Sequence, residues 1–279
     1  REELAAWSAR VQKAAPDAKL EYFIDLKMDG FACALVYQDG VLQQAVTRGD
    51  GFVGEDVTAN VRTLDSVPLR LRHSAKFAAF NRGRTELRGE IVMYKKDFEM
   101  LNKARAKAGQ PLFANPRNTA AGTIRQLDPR LVAQRPLHFR AYDLLRDDPA
   151  EVPTHLFAYR AASALGFLNN KQTPVYRQLT AVEKFIKDWE DKRHQLPYNT
   201  DGLVIKVNDR ALYVRLGVAG KAPRAAVAYK YPAEQSTTRV KDIFVSIGRT
   251  GAATPVAMLE PVVVAGSTVQ MATLHNEGE

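Results

Sequence analysis

Lys27 stands two residues before an Asp-Gly pair, Asp29-Gly30, at the end of the apolar run Leu20-Glu21-Tyr22-Phe23-Ile24-Asp25-Leu26. Such a run suits a strand, and Asp-Gly after it favours a tight turn. A lysine held at a strand end, partly out of water, can give up its proton near neutral pH and act as a nucleophile. Three carboxylates, Asp25, Asp29 and Glu90, fall within expected strands or at their ends. Acids at the mouth of a sheet can bind ribose hydroxyls, hold a divalent metal or orient a lysine. Taken singly, each reads first as a solvated or arginine-paired side chain. Two further lysines, Lys206 and Lys230, close the apolar stretches Leu203-Val204-Ile205 and Ala228-Tyr229. The usual fate of such a lysine is to reach for solvent along its own stem. With Lys27, however, the pair could converge on one phosphate.

The segment Phe113-Ala114-Asn115-Pro116-Arg117-Asn118-Thr119-Ala120-Ala121-Gly122-Thr123-Ile124-Arg125-Gln126 sets Arg117 and Arg125 apart with small residues between them. That spacing lets backbone and two guanidinium groups approach a phosphate chain. Small residues alone would equally mark close helix packing. Arg193, Lys221 and Arg224 add positive charge near the two later lysines. Gly49-Asp50-Gly51-Phe52-Val53-Gly54 matches the G-x-G-x-x-G dinucleotide pattern, but the residues after it argue against that use. Glu55-Asp56-Val57-Thr58-Ala59-Asn60 is too polar for a crossover helix, and no parallel strand with an acidic end comes about 20 residues later.

Periodicity along the chain marks the elements that carry these residues. Leu4, Trp7, Val11 and Ala14 fall at helical spacing ahead of Pro16. A hairpin is expected from Ala32 to Thr47 with its turn at Gln38-Asp39-Gly40. Glu55 to Arg62 reads as a short helix, Glu86 to Met93 as a strand, Lys96 to Ala108 as a helix, Ala120 to Gln126 as a short helix and Leu137 to Leu145 as a strand. Helices are expected over Leu156–Leu165 and Ala181–Lys192, and strands over Gly202–Val207 and Ala225–Tyr231. Beyond Pro232 only short strands remain, over Val240–Ile247, Ala253–Glu260 and, in pieces, Val262–His275. Hairpin-joined strands mixed with helices predict an α+β fold, with domains over 1–235 and 236–279. About 40 residues are too few to close a five-stranded barrel, so the second domain reads as the truncated start of one.

The chain has 279 residues and a net charge of +9, which favours an anionic partner such as nucleic acid or nucleotide. One cysteine, Cys33, excludes disulfides and cysteine-based metal clusters within the chain. No apolar run approaches membrane-spanning length, and with a single cysteine a reducing cytoplasm fits; a monomer is expected.

In order, Lys27-x-Asp29-Gly30, Thr47-Arg48-Gly49-Asp50-Gly51, Arg88-Gly89-Glu90, Asn115-Pro116-Arg117-Asn118, Asp201-Gly202-x-Val204-Ile205-Lys206 and Ala228-Tyr229-Lys230 resemble the motif ladder of the covalent nucleotidyltransferases. The wording, with Gly248-Arg249-Thr250-Gly251 after it, is similar to the bacterial NAD-dependent DNA ligases. The resemblance implies an ATP-grasp-like nucleotidyltransferase domain of mostly antiparallel sheets with helices, followed by an incomplete OB-fold barrel. It implies that Lys27 attacks the adenylyl phosphorus of NAD, expels nicotinamide mononucleotide and carries AMP to the 5′-phosphate of nicked duplex DNA, with Mg2+ required. Lys206 and Lys230 would ease loss of the Lys27 proton and stabilise charge on the phosphorus. By position it implies catalytic roles for Lys27 and Asp29, and nucleotide contacts from Asp25, Arg48, Glu90, Arg193, Lys206 and Lys230. DNA contacts would come from Asn115, Arg117, Arg125, Arg224 and Arg249, and no residue is assigned to a metal. Two other readings stay open: an ATP- or GTP-using nucleotidyltransferase of the RNA ligase or capping kind, and a non-catalytic nucleic-acid-binding module.

Overall fold

The computed structural model describes residues 2–51, 53–220, 222–232, 235–248, 251–264 and 267–274. The chain divides into two compact units, one of residues 1–112 and 116–231, the other of residues 113–115 and 232–279.

In the larger unit two four-stranded sheets carry the architecture. The first has the order β10-β7-β1-β6, from β1 (Tyr22–Met28), β6 (Val175–Tyr176), β7 (Thr200–Val207) and β10 (Ala226–Lys230), all antiparallel. The second has the order β3-β2-β4-β5, from β2 (Phe31–Gln38), β3 (Val41–Thr47), β4 (Arg84–Val92) and β5 (His138–Arg146). Alternation sorts the side chains of each strand between two faces. In β1, Tyr22, Ile24 and Leu26 pack against Leu4, Trp7 and Val11 of α1 (Glu2–Ala14) and Val182, Ile186 and Trp189 of α7 (Leu179–Lys192). Phe23, Asp25 and Lys27 therefore face the other way. In β4, Leu87 and Ile91 join a core with Val61 of α2 (Thr58–Val61), Ile124 of α4 (Pro116–Ile124), Val132 of α5 (Pro129–Ala133) and Leu165 after α6 (His155–Ala164). That leaves Glu86, Arg88 and Glu90 on the opposite face. Each sheet thus has a helix-backed face, and the polar residues share the cleft between the two sheets.

The β2–β3 hairpin turns at Asp39 and Gly40, both with positive φ (49° and 75°), the conformation that a two-residue hairpin loop with the native twist demands. α3 (Lys95–Lys107) ends before Gly109, whose φ of 63° is the usual left-handed stop after a helix. The helix expected over Glu55–Arg62 is shorter than its polar pattern suggested. Val57 donates its backbone N–H to Ala45 O and Glu55 O accepts from Thr47 N, so the segment before Thr58 runs extended along β3. α4 starts at Pro116, four residues before the expected Ala120, because proline at the first helical position loses no hydrogen bond. A helix not expected from the sequence, α8 (Arg210–Leu216), is capped by Asp209, whose side chain accepts from Leu212 N at 2.7 Å. A short hairpin, β8 (Val218–Ala219) with β9 (Ala222–Pro223), leads into β10.

The smaller unit holds a three-stranded antiparallel sheet, β11 (Val240–Ile247), β12 (Ala253–Val264) and β13 (Ser267–Thr273), in that order. Phe113–Asn115 group with it. No described helix is long and apolar enough to cross a membrane.

Candidate active site

Cross-strand register builds the first wall of the cleft. Lys27 of β1 pairs with Gly202 of β7, which pairs with Lys230 of β10. Asp25, Val204 and Ala228 form the next row, and Phe23, Lys206 and Ala226 the one after. Directly paired residues share a face, so the three lysines Lys27, Lys206 and Lys230 line one side of one sheet. Gly202 between two of them is required by space. A Cβ there would lie 2.0 Å from Tyr229 O.

Register shifts between Lys27 and Met28, where Asp201 is the unpaired residue between Gly202 and Thr200. A bulge re-aims side chains locally, and here it brings the Asp201 carboxylate onto Lys27. Lys27 Nζ donates to Asp201 Oδ2 at 2.7 Å and Oδ1 at 2.9 Å. Charge-assisted contacts of this length hold the ammonium firmly. Beside it, Arg117 Nη1 donates to Asp29 Oδ1 at 2.9 Å, which ties the first turn of α4 to the Lys27 motif.

The second wall is the cleft face of β2, β4 and β5. Glu90 is half-buried, and desolvation pushes its carboxyl up to about 7, against the opposing pull of Arg117, Lys27 and Arg48 and with a further push from Asp29. These effects place Glu90 within electrostatic reach of both halves of the Lys27 motif. The backbones meet here as well. A Cβ on Gly30 would lie 2.5 Å from Ile91 O and 2.8 Å from Glu90 Cγ, so only glycine admits this approach of β2 to β4. Next to Glu90, a cavity of 550 Å³ is lined by Ala32, Ala34, Val46, Arg48, Glu86, Arg88 and Tyr142, with Gly51 and Gly54 at its rim. Its volume is that of a site for a small organic ligand, and its walls mix the small apolar residues with the charged Arg48, Glu86 and Arg88. The loop at its rim is tight, since a Cβ on Gly49 would meet Val53 O at 1.7 Å.

The floor is polar and buried. Lys206 Nζ lies 5.8 Å from the Tyr142 ring centre and 6.0 Å from that of Phe23. Asp25 is buried, and desolvation raises its pKa, offset in part by Lys206 and by Asn170, whose Nδ2 donates to Asp25 Oδ1 at 3.0 Å. His155 and Tyr159 of α6 close this end against Phe23, at ring separations of 5.9 and 5.1 Å. Burial, reinforced by Lys206, pushes the His155 imidazole down to about 3, which keeps it neutral beneath the lysine.

The residues singled out by sequence thus fall into groups. Lys27, Asp29, Arg48, Glu90, Arg117, Lys206 and Lys230 lie in or at the rim of the cleft, with Asp25 buried beneath. Arg125 sits at the edge, paired with Glu55 at 3.0 Å and 4.8 Å from the Phe31 ring centre. Arg193 reaches the end of β7 beside Asp201. It stacks 4.7 Å from the ring of Tyr231, a member of the helix-backed core, and donates to Thr200 O. Arg224 is exposed between the β8–β9 hairpin and β10, where its carbonyl accepts from Trp7 Nε1. Asn115 groups with the smaller unit, and Arg249, like Lys221, lies outside the described residues. Asp201 and Tyr142 were not singled out as site residues. Asp201 opens one of the motifs of the ladder and repeats the Asp-Gly pair of Asp29-Gly30, the signals the sequence offers for it.

A lysine ion-paired in a cleft, backed by two more lysines and faced by a half-buried carboxylate, is an arrangement for covalent capture of a phosphoryl group. The family model for the NAD-dependent DNA ligase adenylation domain matches residues 1–234. The chain belongs to this family. The model for the OB-fold domain of the same ligases matches residues 237–279. Over 280 residues the chain is 49% identical to the DNA ligase of Halothermothrix orenii, an alignment covering 99% of this chain and 40% of that one. Identity to the DNA ligase of Thermomicrobium roseum is 48%, covering 99% of this chain and 40% of that protein, and to that of Koribacter versatilis 48%, covering 100% and 41%. The ligase adenylation chain therefore spans about 40% of the length of these curated relatives.

Proposed function

We propose that this chain is the nucleotide-transferring part of an NAD-dependent DNA ligase, with Lys27 as the covalent carrier of AMP. The observation that carries the reading is the row Lys27–Gly202–Lys230, with Asp201 gripping the Lys27 amine and Glu90 opposite.

NAD enters as substrate. Lys27 must shed a proton before it can attack, and Asp201, bonded to the amine through both oxygens, is placed to receive it. Nζ then forms a bond to the adenylyl phosphorus as the phosphorus–oxygen bond to nicotinamide mononucleotide breaks, and the leaving phosphate takes the electron pair. Lys206 and Lys230 supply positive charge where charge accumulates on the phosphoryl oxygens. The cavity beside Glu90 takes the nucleoside, and Glu90 accepts a ribose hydroxyl. AMP then passes to the 5′-phosphate of a nick, and the 3′-hydroxyl displaces it to seal the strand. Among the described residues no three His, Cys, Asp or Glu side chains converge as a metal cage. Magnesium, where the transfer uses it, would be held largely by substrate phosphates and water. It would neutralise phosphate charge during the transfer. Arg48 would hold the nucleotide, while Arg117 and Arg125, with Asn115, Arg224 and Arg249, would grip the DNA phosphates of a nicked duplex without reading sequence. The protein would act as a monomer in the cytoplasm.

Intact mass after incubation with magnesium and NAD, beside a parallel incubation with ATP, tests the reading. A gain of one AMP from NAD, absent in Lys27→Ala, is expected. A gain from ATP alone would move the chain to the ATP-using nucleotidyltransferases. Salt-sensitive DNA binding with no gain from either would favour a non-catalytic nucleic-acid module.

A further inference from the structure

Asn170 lies in the loop between α6 and β6, buried, and joins the two walls of the cleft. Its Oδ1 accepts from the Tyr198 hydroxyl and, at 3.4 Å, from Arg140 Nη2. Its Nδ2 donates to Asp25 Oδ1 at 3.0 Å. Arg140 is the β5 partner of Glu90, while Asp25 belongs to β1 of the opposite sheet. Two donors converge on the amide oxygen and a carboxylate faces the amide nitrogen, so only one orientation of the carboxamide satisfies all three. Arg140 is fixed in turn. It lies 4.6 Å from the Tyr198 ring centre and donates to Asn169 O at 2.8 Å and to the Tyr94 hydroxyl at 3.1 Å. Asp25 and Lys206 are diagonal neighbours on one face, since Asp25 pairs with Val204 and Phe23 with Lys206, a separation that a lysine side chain can bridge.

We infer that Asn170 is a positioning residue for the nucleotide transfer proposed above: it fixes the Asp25 carboxylate, and through it the Lys206 ammonium, relative to the wall that carries Glu90. The inference rests on that proposed reading. The groups facing Asp25 are Lys206 from β7, Tyr159 from α6, Tyr198 and Asn170 from the loops and the backbone N–H of Leu26. None of them is a second acid. Asn170→Asp would supply one in the same shape. Two carboxylates in contact share one proton over a range of pH. While the pair holds that proton, the new acid donates to Asp25 as the amide did. When the pair loses it, the two anions repel and Asp25 is no longer held.

The test is the rate of AMP attachment to Lys27 from saturating NAD, read by intact mass from pH 5.5 to 9 for the parent and Asn170→Asp. The expected variant-to-parent ratio lies within about threefold at the acid end and falls by about tenfold or more as the pair ionises, with KM for NAD moving far less. A flat ratio in an active parent overturns the inference and leaves the reading of the site intact. A parent that gains no AMP at any pH removes that reading and the inference with it. Tyr198→Phe, which frees one side of the amide oxygen, covers the case of an unfolded Asn170→Asp. It should slow the transfer at every pH by about threefold or more at unchanged KM, and an unaltered rate would again overturn the inference.

Discussion

Replacing Gly202 by alanine places one methyl group between Lys27 and Lys230, and the structure gives the size of the insult. The new Cβ would lie 2.0 Å from Tyr229 O, 3.0 Å from Tyr229 C and 3.1 Å from Lys230 Cα, whereas ordinary contact begins at 3.4 Å. The nearest contact is short by 1.4 Å, the difference of those two distances, and the obstructing atoms are backbone, which cannot rotate aside. β10 must therefore move off β7 by about an ångström, with strain of about 1–3 kcal/mol. For a unit of this size that lowers the melting temperature by about 2–12 °C. The effect on transfer is larger than the effect on stability. Lys230 travels with β10, and a misplacement of about 1 Å in a positioned group costs about a hundredfold in rate. Single-turnover AMP attachment, with thermal unfolding of the same preparation, measures both. A variant that transfers AMP at the parental rate would refute the argument that this row of the sheet sets the geometry, whatever its melting temperature.

Glu90 and Arg125 each lead to a separate expected outcome. Burial raises the Glu90 carboxyl from an ordinary 4.5 to about 7, so the folded state holds a proton that the unfolded chain has released across that window. Its contribution is present in full below pH 4.5 and is lost as pH rises to about 7. Glu90→Gln should therefore gain about 1–3 kcal/mol on the parent above about pH 7 and nothing near about pH 4, while binding adenosine more weakly; parallel urea titrations and calorimetry check both. Arg125, half-exposed and paired with Glu55, should act on DNA through phosphate alone. Arg125→Ala is then expected to weaken binding equally for unrelated duplexes and to reduce the salt slope by about one, and sequence-dependent weakening would contradict it.

The cleft was legible in the sequence where local pattern and chemistry coincide. Lys27 at a strand end before Asp-Gly, the Asp39-Gly40 hairpin turn and the lysines closing β7 and β10 all follow from neighbours along the chain. What was not legible depends on register and on contacts distant in sequence. Asp201 acts on Lys27 only because a bulge puts it there, and no local signal announces a bulge. Asn170 meets Asp25 across 145 positions of chain. The polar segment after Gly54 resembled a helix start, yet backbone pairing with β3 overrides that preference up to Val57. Nor does anything in the local sequence announce the stacking of Arg193 on the Tyr231 ring.

The grip of Asp201 on Lys27 has a consequence for chemoselectivity. A primary amine exposed in a cleft would be open to carbon dioxide, cyanate and acyl phosphates, any of which would cap it permanently or for a time. Held as an ammonium bonded to both oxygens of a carboxylate, it offers these reagents no lone pair. In the proposed transfer the amine becomes available only as its proton passes to Asp201, so the residue that masks the nucleophile is also the one that releases it. On the proposed reading the ion pair thereby acts as a chemical safeguard for the carrier amine.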